Sequence, residues 1–171
     1  MSDFTLADLT KLTSAKRRSV QIWAEAGVIQ AIPETERAGT GTHRRFSRSE
    51  AIIACLINAW ARRQQPVGVL QRIAALFREG LENPYIRKSI DKAINGNGEI
   101  YVILRGEGAG RAVLSLAGGA VDIDMSIAVI DGSQDDDIAE AVGRRAIEHL
   151  ERFGSSATVI LANPYLERLR K

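Results

Sequence analysis

The chain has few of the residues on which metal, redox and membrane functions depend. Its 171 residues include one cysteine and two histidines, so an intrachain disulfide and a cysteine cluster for zinc or iron are both excluded. No apolar run approaches the roughly 20 residues of a membrane-spanning helix, and the N-terminus lacks the charged-then-apolar pattern of a signal peptide. We therefore expect a cytoplasmic protein without a metal or cofactor and without a membrane partner.

Side chains suited to catalysis or thiol chemistry are also sparse. His43 lies in a turn-rich segment and His149 on the polar side of a predicted helix, and neither has a partner at catalytic spacing. Cys55 lies in the apolar segment AIIACLINAW, where cysteine more often serves as a small buried hydrophobe. We therefore predict neither an enzyme nor a thiol sensor.

The charge of the chain is divided unevenly between its halves. Residues 1–80 contain 12 Lys and Arg against 7 Asp and Glu, a balance of +5, whereas residues 81–171 contain 11 against 14, a balance of −3. A basic half suits a polyanion. An acidic half suits protein contacts or a ligand, because it would repel the same polyanion.

Residues 5–27 contain the signals for two short helices. Thr5 and Asp8 have the spacing of a capping box, followed by leucines on one helical face. Thr13–Ser14 is predicted to cap a second helix. Gly27 is predicted to end that helix, because glycine readily adopts the left-handed conformation found at this position.

The following segment contains a polar loop and two further helices. Residues 30–45 combine Pro, Gly and Thr with charge, which predicts a loop or a short hairpin. Residues 47–50, SRSE, have the spacing of a second capping box before an apolar helix, and Pro66 is predicted at the first position of a fourth helix. After Gly80 the composition changes, so we expect a second domain.

The second half alternates apolar runs with turn residues. Asn83-Pro84 and Asn163-Pro164 each predict an Asn cap and a first-turn proline. Apolar runs between them predict strands, with a hairpin turn at residues 106–110 and a helix at about 135–153. Because strand, long helix and strand is the order of a crossover connection, we expect a small α/β domain.

Two cationic elements lie in the first half. Lys16, Arg17, Arg18 and Gln21 face outward from the second helix, and a basic string follows the loop at residues 43–48. Arg can bind guanine and Gln adenine through paired hydrogen bonds, and Lys commonly binds phosphate. A basic helical face by itself is more often solvated surface, so the surrounding pattern decides its meaning.

Residues 4–77 resemble the DNA-binding domain of MerR-type transcription regulators. In that family the recognition helix ends in a glycine and two apolar residues, as in Gly27-Val28-Ile29. A wing follows, and it ends in basic, aromatic and serine residues, as in residues 44–47, RRFS. Two further helices come next, and a short motif precedes the second of them, as in residues 65–69, QPVGV. The resemblance implies a mostly helical winged helix-turn-helix at residues 1–80. Together with the small α/β domain predicted from the strand pattern at residues 81–171, the expected fold class is α+β.

The resemblance also implies roles for single residues. Arg18 and Ser19 occupy the position of an Arg-Thr pair at the DNA-facing start of the recognition helix, and Arg44 occupies that of the wing arginine, with His43 beside it. Trp23 and Phe46 stand where the family usually has tyrosines, and we predict that both pack in the core. The full set predicted to contact DNA is Lys16, Arg17, Arg18, Ser19, Gln21, His43, Arg44, Arg45 and Arg48.

This chain also departs from the family, because it has neither the long coiled-coil helix nor the cysteine metal ligands. Residues 81–171 are therefore expected to provide dimerisation, effector sensing or both. The resemblance implies a homodimeric, nucleoid-associated transcription regulator that binds and distorts double-stranded DNA, with RNA polymerase as a further partner. Two alternatives remain open: an excisionase-like architectural protein of recombination, and a ligand- or protein-binding module anchored by the N-terminal domain.

Overall fold

The computed structural model describes residues 3–36, 44–98, 100–105, 112–116, 125–131, 144 and 157–170. Helices and β-sheets both occur in these ranges and helices predominate, so the predicted α+β class is confirmed. The chain divides into two compact units, and the division falls between Arg78 and Glu79. Within the described ranges, no helix is both long enough and apolar enough to cross a membrane.

The first 82 residues form short strands and five helices in the ranges that the structure describes. In chain order these elements are β1 (Phe4–Thr5), α1 (Leu6–Thr13), α2 (Arg17–Glu25), α3 (Pro33–Glu36), β2 (Arg45–Phe46), α4 (Arg48–Ala61) and α5 (Val67–Glu82).

The start of α1 confirms the predicted capping box, whereas the predicted cap of α2 is wrong. The Thr5 hydroxyl accepts the Asp8 N–H at 3.2 Å, and the Asp8 carboxylate accepts the Thr5 N–H at 2.8 Å. Thr13 instead ends α1: its hydroxyl donates to the Leu9 carbonyl at 2.8 Å and accepts the Ala15 N–H at 3.2 Å. The N-cap residue of α2 is Lys16, which has no side-chain cap hydrogen bond, and not Thr13 or Ser14.

Helix α4 forms the centre of the first unit. The Ser47 hydroxyl accepts the Glu50 N–H at 3.2 Å, and every residue from Glu50 to Trp60 is buried, as expected for a helix that is apolar on more than one face. Cys55 is among them, so its predicted burial is confirmed. The Asn58 side chain donates to the carbonyl of Thr13 at 2.7 Å and so ties α4 to the end of α1.

The loop predicted at residues 30–45 contains a helical turn, α3, where it is described. Its base is closed by the Ile32 N–H, which donates to the Arg45 carbonyl at 2.7 Å, and residues 37–43 lie outside the described ranges. Strand β2, Arg45–Phe46, pairs antiparallel with β1, and Phe46 lies opposite Phe4. Among the described residues, β2 does not pair with the loop that precedes it. Because Phe46 is fully buried, this strand is held against the core.

The second unit contains one helix before a sheet and a short helix after it, as far as it is described. The elements are α6 (Pro84–Ile94), β3 (Ile100–Arg105), β4 (Ala112–Leu116), β5 (Met125–Asp131), β6 (Ala157–Leu161) and α7 (Asn163–Leu166), followed by a 3-10 turn. The strand order is β4-β5-β3-β6. Strand β3 runs antiparallel to both of its neighbours, and β4 runs parallel to β5.

This strand order bears on two predictions for the second half. A hairpin at residues 106–110 is wrong, because β3 and β4 are not neighbours and β5 lies between them. Strands β5 and β6 run in the same direction on either side of β3, which requires a crossover connection. The helix predicted in that connection lies outside the described residues except for Arg144, which is helical.

The two Asn-Pro pairs differ in structure although they look alike in sequence. Asn83 caps α6 as predicted, because its side chain accepts the Tyr85 N–H at 2.9 Å. Asn163 does not cap α7. Its amide nitrogen donates to the Gly98 carbonyl at 2.7 Å, and its amide oxygen accepts the Ile100 N–H at 2.8 Å. This side chain therefore fixes the start of β3 instead of the start of a helix.

Candidate nucleic-acid interface

Helix α2 divides its side chains between the core and the solvent. Val20 and Trp23 are buried, whereas Lys16, Arg17 and Arg18 at its start are exposed. Because side chains three residues apart share a helical face, burying one face directs the basic residues outward. The sequence prediction of an exposed cationic face is confirmed at these positions.

A groove of about 540 Å³ lies along this helix in the first unit. From α2 it is lined by Arg17, Gln21 and Glu25, which are spaced four residues apart and therefore form a row on one helical face. The rest of its lining comes from residues 5–7 at the start of α1 and from Arg44.

Strand pairing brings Arg44 to this groove. Arg44 directly precedes β2, and β2 pairs with β1 so that Arg45 lies opposite Thr5. Since Thr5 leads directly into α1, the pairing holds Arg44 beside the start of that helix. Arg17 and Arg44, one from each of the two cationic elements, therefore line one groove although they are distant in sequence.

The arginines of this surface have no acidic partners in the chain as described. Arg17, Arg18 and Arg44 make no ion pair or side-chain hydrogen bond among the described residues. Glu25 is the acidic residue among those lining the groove. An unpaired guanidinium group presents its full set of N–H donors to a ligand, and phosphate oxygens and the guanine edge both match that geometry.

The structure brings together some of the predicted site residues and leaves others apart. Arg17, Gln21 and Arg44 line the groove, and His43 lies outside the described residues. The remaining predicted residues are not part of the groove lining: Lys16, Arg18 and Arg45 are exposed, and Ser19 and Arg48 are half-buried. Glu25 was missed, although its spacing of four residues from Gln21 was visible in the sequence.

The two aromatic residues that were predicted to pack in the core, Trp23 and Phe46, are buried there. Trp23 keeps 3% of its accessible surface and Phe46 keeps none. Their predicted packing role is therefore confirmed. Both support the surface from behind, because Trp23 lies on the buried face of α2 and Phe46 on the strand that follows Arg44.

An ion pair between α4 and α5 fixes the chain that leaves α2. Arg78 Nε lies 2.6 Å from Glu50 Oε1, and the Arg78 guanidinium also donates to the Val28 carbonyl at 2.6 Å. The second Glu50 oxygen accepts the Gln30 N–H at 2.8 Å. Gln71, also on α5, donates from its side chain to a carbonyl at the end of α2. Side chains of α5 therefore hold the C-terminal end of the helix that lines the groove.

The capping box at the edge of the groove also changes the titration of its carboxyl group. The Thr5 hydroxyl and N–H both donate to Asp8 Oδ2, at 2.7 and 2.8 Å. These bonds hold the pKa of Asp8 below its ordinary value of 3.8, and the charges of Lys11 and Arg45 lower it further. The folded chain thus favours the ionised form of Asp8.

Comparison of the chain with protein-family models finds no match, and no curated protein matches it.

Proposed function

We propose that this protein binds duplex DNA sequence-specifically, as a homodimer, and regulates transcription. The observation that carries the proposal is that Arg17, Gln21 and Arg44 line one groove, with both arginines free of acidic partners among the described residues. Arg and Gln side chains bind guanine and adenine edges in the major groove, and Arg also binds phosphate. The groove thus combines groups for reading bases with a group for holding the backbone.

We assign different roles to the cations of this surface. Arg17 and Gln21, one helical turn apart on α2, are assigned to base edges, and Arg44 is assigned to a backbone phosphate. Arg18 is exposed outside the groove lining, so we assign it to phosphate as well. The family resemblance leaves a base-edge contact and a phosphate contact both open for Arg18, and its place outside the groove lining favours phosphate.

The resemblance to MerR-type regulators supports the finer part of the proposal. It supports a winged helix-turn-helix at residues 1–80, a dimer formed through residues 81–171, action on the nucleoid and contact with RNA polymerase. Two copies related by symmetry would roughly add their binding energies and double the recognised sequence. Bending or untwisting of the bound DNA belongs to the same proposal.

The test begins with selection of duplexes from fragmented genomic DNA by the full chain. Affinity is then measured by fluorescence anisotropy at several salt concentrations, on the selected duplex and on a random one. The variants are Arg17→Ala, Arg18→Ala and Arg44→Ala, with Arg62→Ala as the control. Arg62 is exposed at the end of α4 and is not part of the groove lining.

The assigned roles predict different results for these variants. Arg44→Ala and Arg18→Ala should each weaken binding to both duplexes and reduce the salt slope by about one, because a phosphate contact is lost. Arg17→Ala should cost about 1–3 kcal/mol on the selected duplex and much less on the random one. If Arg62→Ala is as damaging as these changes, or if none of them alters DNA binding, the assigned surface is wrong.

The arrangement of the selected sites distinguishes a transcription regulator from an excisionase-like architectural protein. An inverted repeat within promoters supports a homodimeric regulator, because its symmetry mirrors that of the protein. Tandem sites beside an attachment sequence would instead support the architectural alternative.

A further inference from the structure

We infer that Glu25 is a specificity-determining residue of the groove and that its carboxylate selects a base whose amino group faces it, over a base that presents acceptor oxygens at that position. The inference rests on the proposed function and goes beyond it, since no DNA contact was assigned to an acidic residue. It follows from the position of Glu25 in the row formed with Arg17 and Gln21.

The row has a spacing that suits neighbouring base pairs. Residues four apart on a helix are separated by a rise of about 6 Å, and successive bases on a strand by about 3.4 Å. Gln21 and Glu25 therefore face positions about two base pairs apart when α2 follows the DNA groove. Arg17 and Glu25 together span about 12 Å, or roughly three to four base pairs.

The chemistry of the three side chains differs along the row. A carboxylate only accepts hydrogen bonds, so it suits the amino group of cytosine. Guanine and thymine present acceptor oxygens in the major groove, which a carboxylate repels. Glu25 would therefore favour cytosine at its position, accept adenine less well because its amino group lies beside the acceptor N7, and disfavour guanine and thymine, which is discrimination partly by repulsion.

Glu25 has no structural role that would account for its charge. It is exposed, and it makes no ion pair or hydrogen bond through its side chain among the described residues. It is the last residue of α2, where the helix dipole disfavours a negative charge. No Lys or Arg lies three or four residues away along the helix to compensate. A carboxylate here opposes both helix stability and phosphate binding, so its place in the groove points to discrimination between bases.

The test compares Glu25→Gln with wild-type protein, using the full chain throughout. The duplex selected by the wild-type protein is changed one base pair at a time, and a random duplex is measured beside it. Glu79→Gln is the matched control, because Glu79 is an exposed carboxylate outside the groove lining. Tryptophan fluorescence during urea unfolding checks that Glu25→Gln leaves the fold intact.

We expect Glu25→Gln to abolish most of a preference of about tenfold at one base pair, and to leave the preferences at other positions unchanged. Binding to the random duplex should tighten, because a negative charge beside the phosphates is removed. Glu79→Gln should reproduce the wild-type profile.

Two other outcomes overturn the inference in distinguishable ways. If Glu25→Gln changes the affinity for all duplexes by the same factor, or keeps every base preference, Glu25 does not read a base, although the proposed function stands. If the wild-type protein itself selects no duplex, the proposed function fails and the inference about Glu25 fails with it.

Discussion

Replacing Arg78 with alanine should lower the free energy of unfolding of the first unit by about 3 kcal/mol. The change removes both bonds to Glu50 and the bond to the Val28 carbonyl. It leaves a Glu50 carboxylate with 10% of its side-chain surface exposed and with the Gln30 N–H as its remaining donor in the network. An uncompensated buried charge of this kind is strongly destabilising.

The magnitude follows from the burial of the pair. Removing one partner of a buried ion pair costs about 3–5 kcal/mol. The Arg78 side chain keeps 21% of its accessible surface, so water reaches part of the network and we expect the lower end of that range. Arg78→Lys should lower the free energy of unfolding by about half as much as Arg78→Ala. An ammonium group keeps the charge but lacks the forked geometry with which arginine reaches Glu50 and Val28 together.

The assay is urea unfolding followed by tryptophan fluorescence. The chain has two tryptophans, Trp23 and Trp60, and both are buried in the first unit, so emission reports the unfolding of that unit. Arg62→Ala serves as the control and should change the free energy of unfolding by no more than about 0.5 kcal/mol.

A double-mutant cycle separates the ion pair from other effects of truncation. Glu50→Ala and Arg78→Ala together should destabilise less than the sum of the single changes, by about 2 kcal/mol. A coupling near zero, or a loss below about 1 kcal/mol for Arg78→Ala, would refute the reasoning.

Two further predictions use the same unfolding assay. Asp8→Asn should destabilise the first unit near neutral pH but progressively less below pH 3.8, because a carboxyl whose pKa is lowered by folding stabilises only while it is ionised; a pH-independent difference would contradict this. Gly27→Ala should lower the free energy of unfolding by about 1–2 kcal/mol, since Gly27 has φ +73° and its added Cβ meets no atom within 4 Å, which leaves backbone strain as the cause. Gly68 lies in helix α5 and has no positive φ, so Gly68→Ala should instead raise the free energy of unfolding by up to about 1 kcal/mol. Equal effects of the two changes would exclude backbone strain at Gly27 as the cause.

Features that depend on near neighbours in sequence were predictable. The capping box of Thr5 and Asp8 closes within one helical turn, and Gly27, which has a positive φ, directly follows the C-cap residue of α2. The burial of α4 followed from its apolar composition. The exposure of the basic start of α2 followed from the burial of the opposite face. In each case the pattern that allowed the prediction lies within one helix or one turn of the sequence.

Features that depend on a choice between several partners were not predictable. Thr13 and Asn163 are suitable cap residues, but their side chains bond elsewhere: the Thr13 hydroxyl closes the end of α1, and Asn163 reaches backbone 63 residues away at Ile100. Glu50 was predicted as the second member of a capping box, but its carboxylate oxygens bond the Arg78 guanidinium and the Gln30 N–H instead. Arg78 is 28 residues away, so this choice of partner required the packing of α4 against α5.

The basic face of α2 and the string containing Arg44 are properties of the sequence, set by helical periodicity and composition. Their meeting in one groove is a property of the tertiary structure, because it depends on the pairing of β1 with β2. The packing of α2 against α1 places Arg17, Gln21 and Glu25 in the groove and leaves Arg18 outside its lining. The reason is physical: periodicity determines which side of a helix is exposed, but only packing determines what that side faces.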